Sequence, residues 1–307
     1  MRHIFIINPH AGHGQDHAAV IQNIEEACRR QKVEYDIYLT SHAGHATEIV
    51  AAAAAGHPDK QLVFYACGGD GTLNEVAAGL AALDDPRCAL TVYPIGTGND
   101  FVKMFKGGRE AFLQLDDLLQ GEIVPIDYIL SDCGCSINIL SVGLDAEVAK
   151  GMDKYRIFGS GLIPYSLSAV ECVLRGIGKP YAVCVDGEQL DGEYTLIFVG
   201  NGRYYGGGFC PVDHSCLSDG LLDVLLVKKI SRLQAASLVS KYKAGRYREL
   251  GEYITYRQAR ELNIFSGNNE EMCINLDGEI IESSHLHLRI EPGRLRFVLP
   301  RGSEVLA

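Results

Sequence analysis

The residues best suited to chemistry are concentrated in one stretch, Cys67-Gly68-Gly69-Asp70-Gly71-Thr72-Leu73-Asn74-Glu75-Val76. An apolar run precedes it and a helix-like pattern follows, so three glycines bare backbone amides at a helix N-terminus, where anions are stabilised. Asp70 beside a phosphate is unfavourable unless a divalent cation lies between them, which makes it a holder of Mg²⁺, directly or through water. Asp70 and Thr72 capping the helix in a plain tight turn is the alternative, and residue chemistry alone leaves both open. Two more loops have the same texture: Asn8-Pro9-His10-Ala11-Gly12-His13-Gly14 and Pro94-Ile95-Gly96-Thr97-Gly98-Asn99-Asp100. Three such loops in one domain would place donors around a polyphosphate from several sides. None is G-x-G-x-x-G or G-x-x-x-x-G-K-[ST], which disfavours dinucleotide and P-loop readings. The pairs His10/His13 and His42/His45 have spacings that could hold a transition metal, but they read as polar fill around loops.

The elements that must carry these loops follow from periodicity. Short apolar runs at 4–7, 35–39, 62–66 and 89–93 alternate with helix-like segments at 15–31, 45–55 and 72–83, which implies a parallel sheet covered by helices. Ligands of such sheets sit beyond the carboxyl ends of the strands, where all these loops lie. After about residue 125 the runs become β-branched or aromatic (126–130, 136–142, 181–185, 195–199, 221–227) and are separated by turn pairs such as Asp186-Gly187, Asp219-Gly220 and Asp277-Gly278. A mostly antiparallel β domain is expected there, interrupted by helices at 161–175 and 231–243.

Composition bounds the rest. The chain has 307 residues, 47% hydrophobic and 22% charged, as in folded globular proteins. Its net charge of −11 argues against nucleic acid as a partner. Ten dispersed cysteines read as buried free thiols, Cys133 and Cys135 lack zinc-site spacing, and the run Ile4–Ile7 ends too soon for a signal peptide. A cytoplasmic location is expected. No apolar run approaches the roughly 20 residues of a membrane span. Lys228, Lys229, Arg232, Lys241, Lys243, Arg246 and Arg248, interleaved with Leu233, Leu238, Tyr242 and Tyr247, are the main basic concentration. By spacing alone they read as a solvated helix face rather than a membrane-docking one.

The string 68–76, with Asn8-Pro9 and Gly12 before it and Pro94 to Phe101 after it, resembles the catalytic domain of the diacylglycerol kinase and sphingosine kinase superfamily, above all its soluble bacterial lipid kinases. Asn201-Gly202-Arg203-Tyr204-Tyr205-Gly206-Gly207-Gly208-Phe209, Asp219-Gly220-Leu221-Leu222-Asp223 and Leu276-Asp277-Gly278-Glu279 resemble that family's later motifs in the same order. NAD kinases share the Gly-Gly-Asp-Gly-Thr core, but not the Leu-Asn-Glu-Val continuation.

The resemblance implies an NAD kinase/phosphofructokinase-like α/β domain at 1–125, an antiparallel β-sandwich at 126–299 and a tail, 300–307, that returns to the first domain. It implies ATP contacts from Asn8, Pro9, Gly12, Thr40, Gly68, Gly69, Asp70, Gly71, Thr72, Asn74, Glu75 and Thr97. Asp70, Asp100 and Asp127 would form a water-linked Mg²⁺ network, and a structural Mg²⁺ would sit on the Asp219 side chain with carbonyls of Cys216 and Leu221. Glu279 resembles the general base. Two departures are visible: Ile280 stands where the family commonly has proline, and no Lys or Arg directly follows Gly12. Asp186-Gly187-Glu188 repeats the Asp-Gly-Glu triplet as a decoy. The implied activity is ATP- and Mg²⁺-dependent phosphorylation of diacylglycerol or a similar lipid at the inner face of the membrane. A kinase for NAD or a sphingoid-like acceptor is the alternative, or an ATP-binding regulator, which would have no need of both Asp70 and Glu279. The family includes homodimers; no residue here specifies one.

Overall fold

The computed structural model describes residues 1–12, 17–152, 154–155, 167–168, 171–172, 178–268 and 270–306. His13, Gly14, the first two residues of the helix expected at 15–31 and most of the helix expected at 161–175 lie outside them. The chain forms two compact units, one comprising 1–128 with 292–307 and the other 129–291.

In the first unit β1 (Arg2–Ile7), β2 (Glu34–Leu39), β3 (Leu62–Cys67) and β4 (Cys88–Tyr93) pair in parallel in the order β2-β1-β3-β4. The inner strands β3 and β4 are buried at every residue, as parallel strands covered on both faces must be, while β2 at the edge is half exposed. The helices α1 (His17–Gln31), α2 (His45–Gly56) and α3 (Asp70–Leu83) connect these strands, and α1 buries Val20, Ile24, Ala27 and Cys28 along one face. The short helices α4 (Gly108–Phe112) and α5 (Leu115–Leu119) follow. Two strands, β5 (Glu122–Ser131) and, at the far end of the chain, β16 (His285–Leu299), carry the chain from one unit to the other. β16 is a single strand, and the return to the first unit begins at Pro292, earlier than the tail expected at 300. Phe297 explains this: it lies opposite Leu90 of β4 and its ring stacks on Phe105 at 5.2 Å, beside Phe101 and Phe112. The Thr91 hydroxyl also donates to the Val298 carbonyl at 2.8 Å.

The second unit is built from β6 (Gly134–Ser136), β7 (Ile139–Gly143), α6 (Leu144–Gly151), β8 (Lys179–Val185), β9 (Glu188–Gln189), β10 (Gly192–Gly200), β11 (Leu222–Lys228), α7 (Arg232–Lys243), β12 (Ile254–Ala259), β13 (Glu261–Ser266), β14 (Met272–Leu276) and β15 (Glu279–Ser283). The strands pair antiparallel, with β7-β10-β11-β12 and the β14-β15 hairpin on one side and β8-β13 with the start of β16 on the other. Alternation sorts the side chains. Ile197 and Val199 of β10 join Val183, Leu262, Leu286 and their neighbours in the sandwich interior. Leu196 and Phe198, which alternate with them, face a second cluster with Tyr242 of α7 and Leu250. This is the α/β domain followed by an antiparallel β-sandwich that the sequence led us to expect.

One run departs from expectation. Residues 136–142 read as a single strand, but β6 and β7 are separate because the Asp277 carboxylate takes the amides between them, Ile137 at 2.7 Å, Asn138 at 3.1 Å and Ile139 at 2.7 Å. An amide given to a carboxylate is withdrawn from the strand ladder.

Candidate active site

The three glycine-rich loops meet at the carboxyl ends of β1, β3 and β4. The Asp70 amide donates to Gly98 O at 2.9 Å and the Gly96 amide to Gly68 O at 2.8 Å, so the second and third loops are joined backbone to backbone. Only glycines permit this approach: a Cβ on Gly96 would lie 2.6 Å from Gly69, and one on Gly69 would lie 2.7 Å from Gly98 O. Asp70 adds a side-chain tie, each oxygen accepting one amide, Asp100 at 2.8 Å and Phe101 at 3.2 Å. Burial pushes the Asp70 pKa up; the two amides oppose that, and the neighbouring Asp100 carboxylate adds to it. The first loop is tied in by Asn8, whose Nδ2 donates to Thr72 Oγ1 at 3.2 Å while its Oδ1 accepts the His10 amide at 2.9 Å. α3 starts at Asp70, two residues before the expected start at 72, because Gly69 is extended and its carbonyl accepts the Leu73 amide.

Several of the residues expected to bind nucleotide are therefore occupied in shaping the loops. Asn8, Asp70 and Thr72 hold loop to loop. Glu75 Oε2 accepts the Ala46 amide at 3.2 Å, capping α2, whose own cap position is Gly44. Thr40 and Asn74 are buried, Pro9 is half buried, and Gly12 stands at φ 76, a conformation suited to glycine. Gly71 and Thr97 are exposed, and a Cβ on Gly71 would meet nothing within 4 Å. The open surface is thus backbone at the start of α3 and in the third loop, which fits a triphosphate. The nearby donors also fit a hard divalent cation: Asp70 and Asp100 offer oxygen only, and since both Asp70 oxygens already hold amides, contact through water suits them better than direct ligation. Asp127 is buried and accepts the Gly293 amide at 2.7 Å. Lys103, which the sequence reading missed, donates to Asp100 Oδ1 and is the cation of this cluster; a lysine in a short 3₁₀ turn after the loop leaves no motif to find it by. His42, His45 and Glu48 bring potential ligand atoms within 4.8 Å of one another, but His45 Nδ1 accepts the Ser41 amide and the α2 N-terminus repels a cation.

In the second unit both Asp-Gly-Glu triplets are two-residue hairpin turns with both turn residues at positive φ. Asp186 accepts amides of Arg260 and Glu261 much as Asp277 accepts 137–139. They differ at the glutamate. Glu188 is gripped by Arg257 through two bonds of 2.9 Å, which lowers its pKa. Glu279 opens β15 on the exposed surface. Asp277 is pushed up to about 6 by burial, against the pull of its amides. Asp219 Oδ1 accepts the Leu221 amide at 3.0 Å, an Asx turn that brings Asp219 and Leu221 together; Cys216 lies half buried just upstream.

The same unit holds a feature without a sequence motif, a cavity of about 470 Å³ between the outer face of the sheet and α7. Leu144, Val148, Leu196, Phe209, Val227 and Ile230 are among its walls, which are almost wholly apolar. Asp145 also lines it. Its Oδ1 accepts the Ala146 amide at 2.7 Å, whereas Oδ2 is shielded from solvent without a hydrogen-bond partner. Burial pushes the Asp145 pKa up to about 6, although the Ser141 and Tyr205 hydroxyls favour its charge.

Two family profiles account for most of the sequence: that of the diacylglycerol kinase catalytic domain matches residues 2–130, and that of the YegS C-terminal NAD kinase β-sandwich-like domain matches 138–299. The chain belongs to the YegS and diacylglycerol kinase family of lipid kinases. It is 31% identical over 300 residues to a "Probable lipid kinase YegS-like" of Stenotrophomonas maltophilia (strain K279a), covering 91% of each chain. It is 31% identical over 263 residues to a "Diacylglycerol kinase" of Bacillus subtilis (strain 168), covering 85% of this chain and 83% of that one. Its fold matches a crystal structure of a diacylglycerol kinase from Bacillus anthracis (strain Sterne) with a TM-score of 0.70 over 99% and 98% of the two chains; at 20% identity the likeness is one of fold. Among the described residues, no helix is long and apolar enough to cross a membrane.

Proposed function

We propose that this kinase transfers the γ-phosphoryl group of ATP to the free hydroxyl of diacylglycerol or a closely similar lipid, giving phosphatidic acid. The observation that carries the choice of acceptor is the apolar cavity lined by Asp145. Its volume falls within the range of small-ligand sites, and a wall of Leu, Val, Ile and Phe suits an acyl chain rather than a soluble, polar acceptor.

On the donor side, the amides at the start of α3 and in the third loop bind the triphosphate, held in register by the Asp70 and Asn8 ties. Asp70 and Asp100 would hold Mg²⁺ through water, and the ion would neutralise charge on the phosphates. Glu279 accepts the proton of the lipid hydroxyl as that oxygen attacks phosphorus. Asp219, with the Cys216 and Leu221 carbonyls, would hold a structural cation. Asp145 favours a second acceptor, a single-chain amino alcohol, because a charged amine would satisfy the shielded Oδ2.

A panel with labelled ATP and Mg²⁺ separates the two: dioleoylglycerol, a sphingoid base and NAD, each offered in detergent micelles. Label appearing in phosphatidic acid supports the main reading, and label on the sphingoid base alone supports the second. Label on NAD alone would overturn both.

A further inference from the structure

α7 is an odd helix for a folded domain. Of its twelve residues only Tyr242 is buried, while Leu233 is 85% and Val239 48% exposed. On its inner side Ala235, Leu238, Val239 and Tyr242 line the cavity, and Ala235, Leu238 and Tyr242 also pack on the cluster that holds Phe198 and Leu225, so the helix is one wall of the open space. A capping box at Ser231 and Gln234 fixes its first turn. Its surroundings reverse the charge of the protein: residues 228–252 carry seven Lys and Arg against Glu249 and Glu252, a surplus of five cations in a chain of net charge −11. Several pair with nearby carboxylates, as Lys229 with Glu193 at 2.9 Å and Arg246 with Glu249 at 2.6 Å, but these pairs are exposed and readily exchanged for other anions.

We propose that α7 is the surface by which the kinase docks on an anionic bilayer, with Leu233 entering the acyl boundary, the flanking lysines and arginines meeting headgroups, and the cavity wall brought against the lipid. An acidic protein can approach an anionic surface only through such a local reversal of sign. Exposed apolar groups interleaved with cations make interfacial binding. The arrangement also lets an acyl chain pass from bilayer to cavity beside α7 without crossing water, a clause that rests on the lipid-acceptor reading; the docking itself does not.

Co-sedimentation with vesicles tests it, using phosphatidylcholine alone and phosphatidylcholine with 30 to 50% phosphatidylglycerol (roughly physiological to high anionic charge). The wild type is expected to bind the anionic vesicles, to release in high salt, and to ignore the neutral ones. Leu233→Glu and the double variant Lys228→Glu/Lys229→Glu are each expected to bind about tenfold or more weaker, with unchanged melting temperatures. Wild-type protein that fails to bind anionic vesicles, or variants that bind as well as wild type, would overturn the proposal. Turnover adds a second readout: Leu233→Glu should phosphorylate a dispersed short-chain diacylglycerol as fast as wild type while losing activity on vesicle-borne substrate. Equal loss on both would also overturn it. Vesicle binding by a protein that phosphorylates no diacylglycerol sustains the docking and removes the acceptor reading instead.

Discussion

Asp70 faces its own backbone as much as any ligand, and its replacement should show both roles. Asp70→Asn leaves one of the Asp100 and Phe101 amides without its acceptor, which is expected to lower stability by about 1–2 kcal/mol and turnover by roughly a hundredfold or more, read from a melting curve and an ATPase-coupled assay on one preparation. Glu279 and Glu188 provide a matched pair. Glu279→Gln should cost 10²–10⁴ in kcat, the usual scale of a general base, with an unchanged melting temperature. Glu188→Gln breaks the Arg257 fork, an exposed pair, and should leave kcat within about twofold. The sequence pointed to hairpin turns at both triplets, yet not to the hold of Arg257 on Glu188, because that arginine lies on another strand 69 positions away. Asp145 gives a pH signature. Its folded pKa of about 6 lies above the ordinary carboxylate value, so the folded state binds more protons than the unfolded one between pH 4 and 6 and loses stability as pH rises through that window. Asp145→Asn removes the loss: urea unfolding should show the variant more stable than wild type by roughly 1–3 kcal/mol at pH 8, with the difference gone below pH 4.

Among the elements, the interlocked loops are what the glycines make possible, and two alanine substitutions separate close approach from open surface. Gly96→Ala forces a Cβ into the Gly69 backbone and should abolish turnover and raise the ATP Kd about tenfold or more, whereas Gly71→Ala meets no atom within 4 Å and should leave folding intact. Isothermal titration with a non-hydrolysable ATP analogue measures both. The loops themselves were legible from strand, glycines and helix in succession. Their mutual contact was not, since Gly69 and Gly96 lie far apart in sequence and are brought together by the parallel pairing of β3 with β4. The same holds for the cavity beside α7, whose walls come from segments distant in sequence. The run 136–142 failed for a related reason: the carboxylate that splits it comes from Asp277, far along the chain.

At the scale of the molecule, the change of period near residue 125 revealed two folding units, because helix-covered parallel sheets and sandwiches impose different hydrophobic repeats. The late return of the chain to the first unit at Pro292 was hidden in an unbroken strand, and the Phe297 ring among Phe101, Phe105 and Phe112 marks it only in three dimensions. The profiles establish membership of the lipid kinase family; the diacylglycerol acceptor and the role of Glu279 are this account's proposals. The direct measurement is transfer of the terminal phosphate of labelled ATP to diacylglycerol in mixed micelles with Mg²⁺, run side by side for wild type and Glu279→Gln, with ATP binding followed in parallel. The account predicts labelled phosphatidic acid from wild type, a loss of at least a hundredfold in the variant, and equal ATP binding by the two. Equal turnover by both proteins, or no labelled lipid from wild type while it phosphorylates another acceptor, would contradict it.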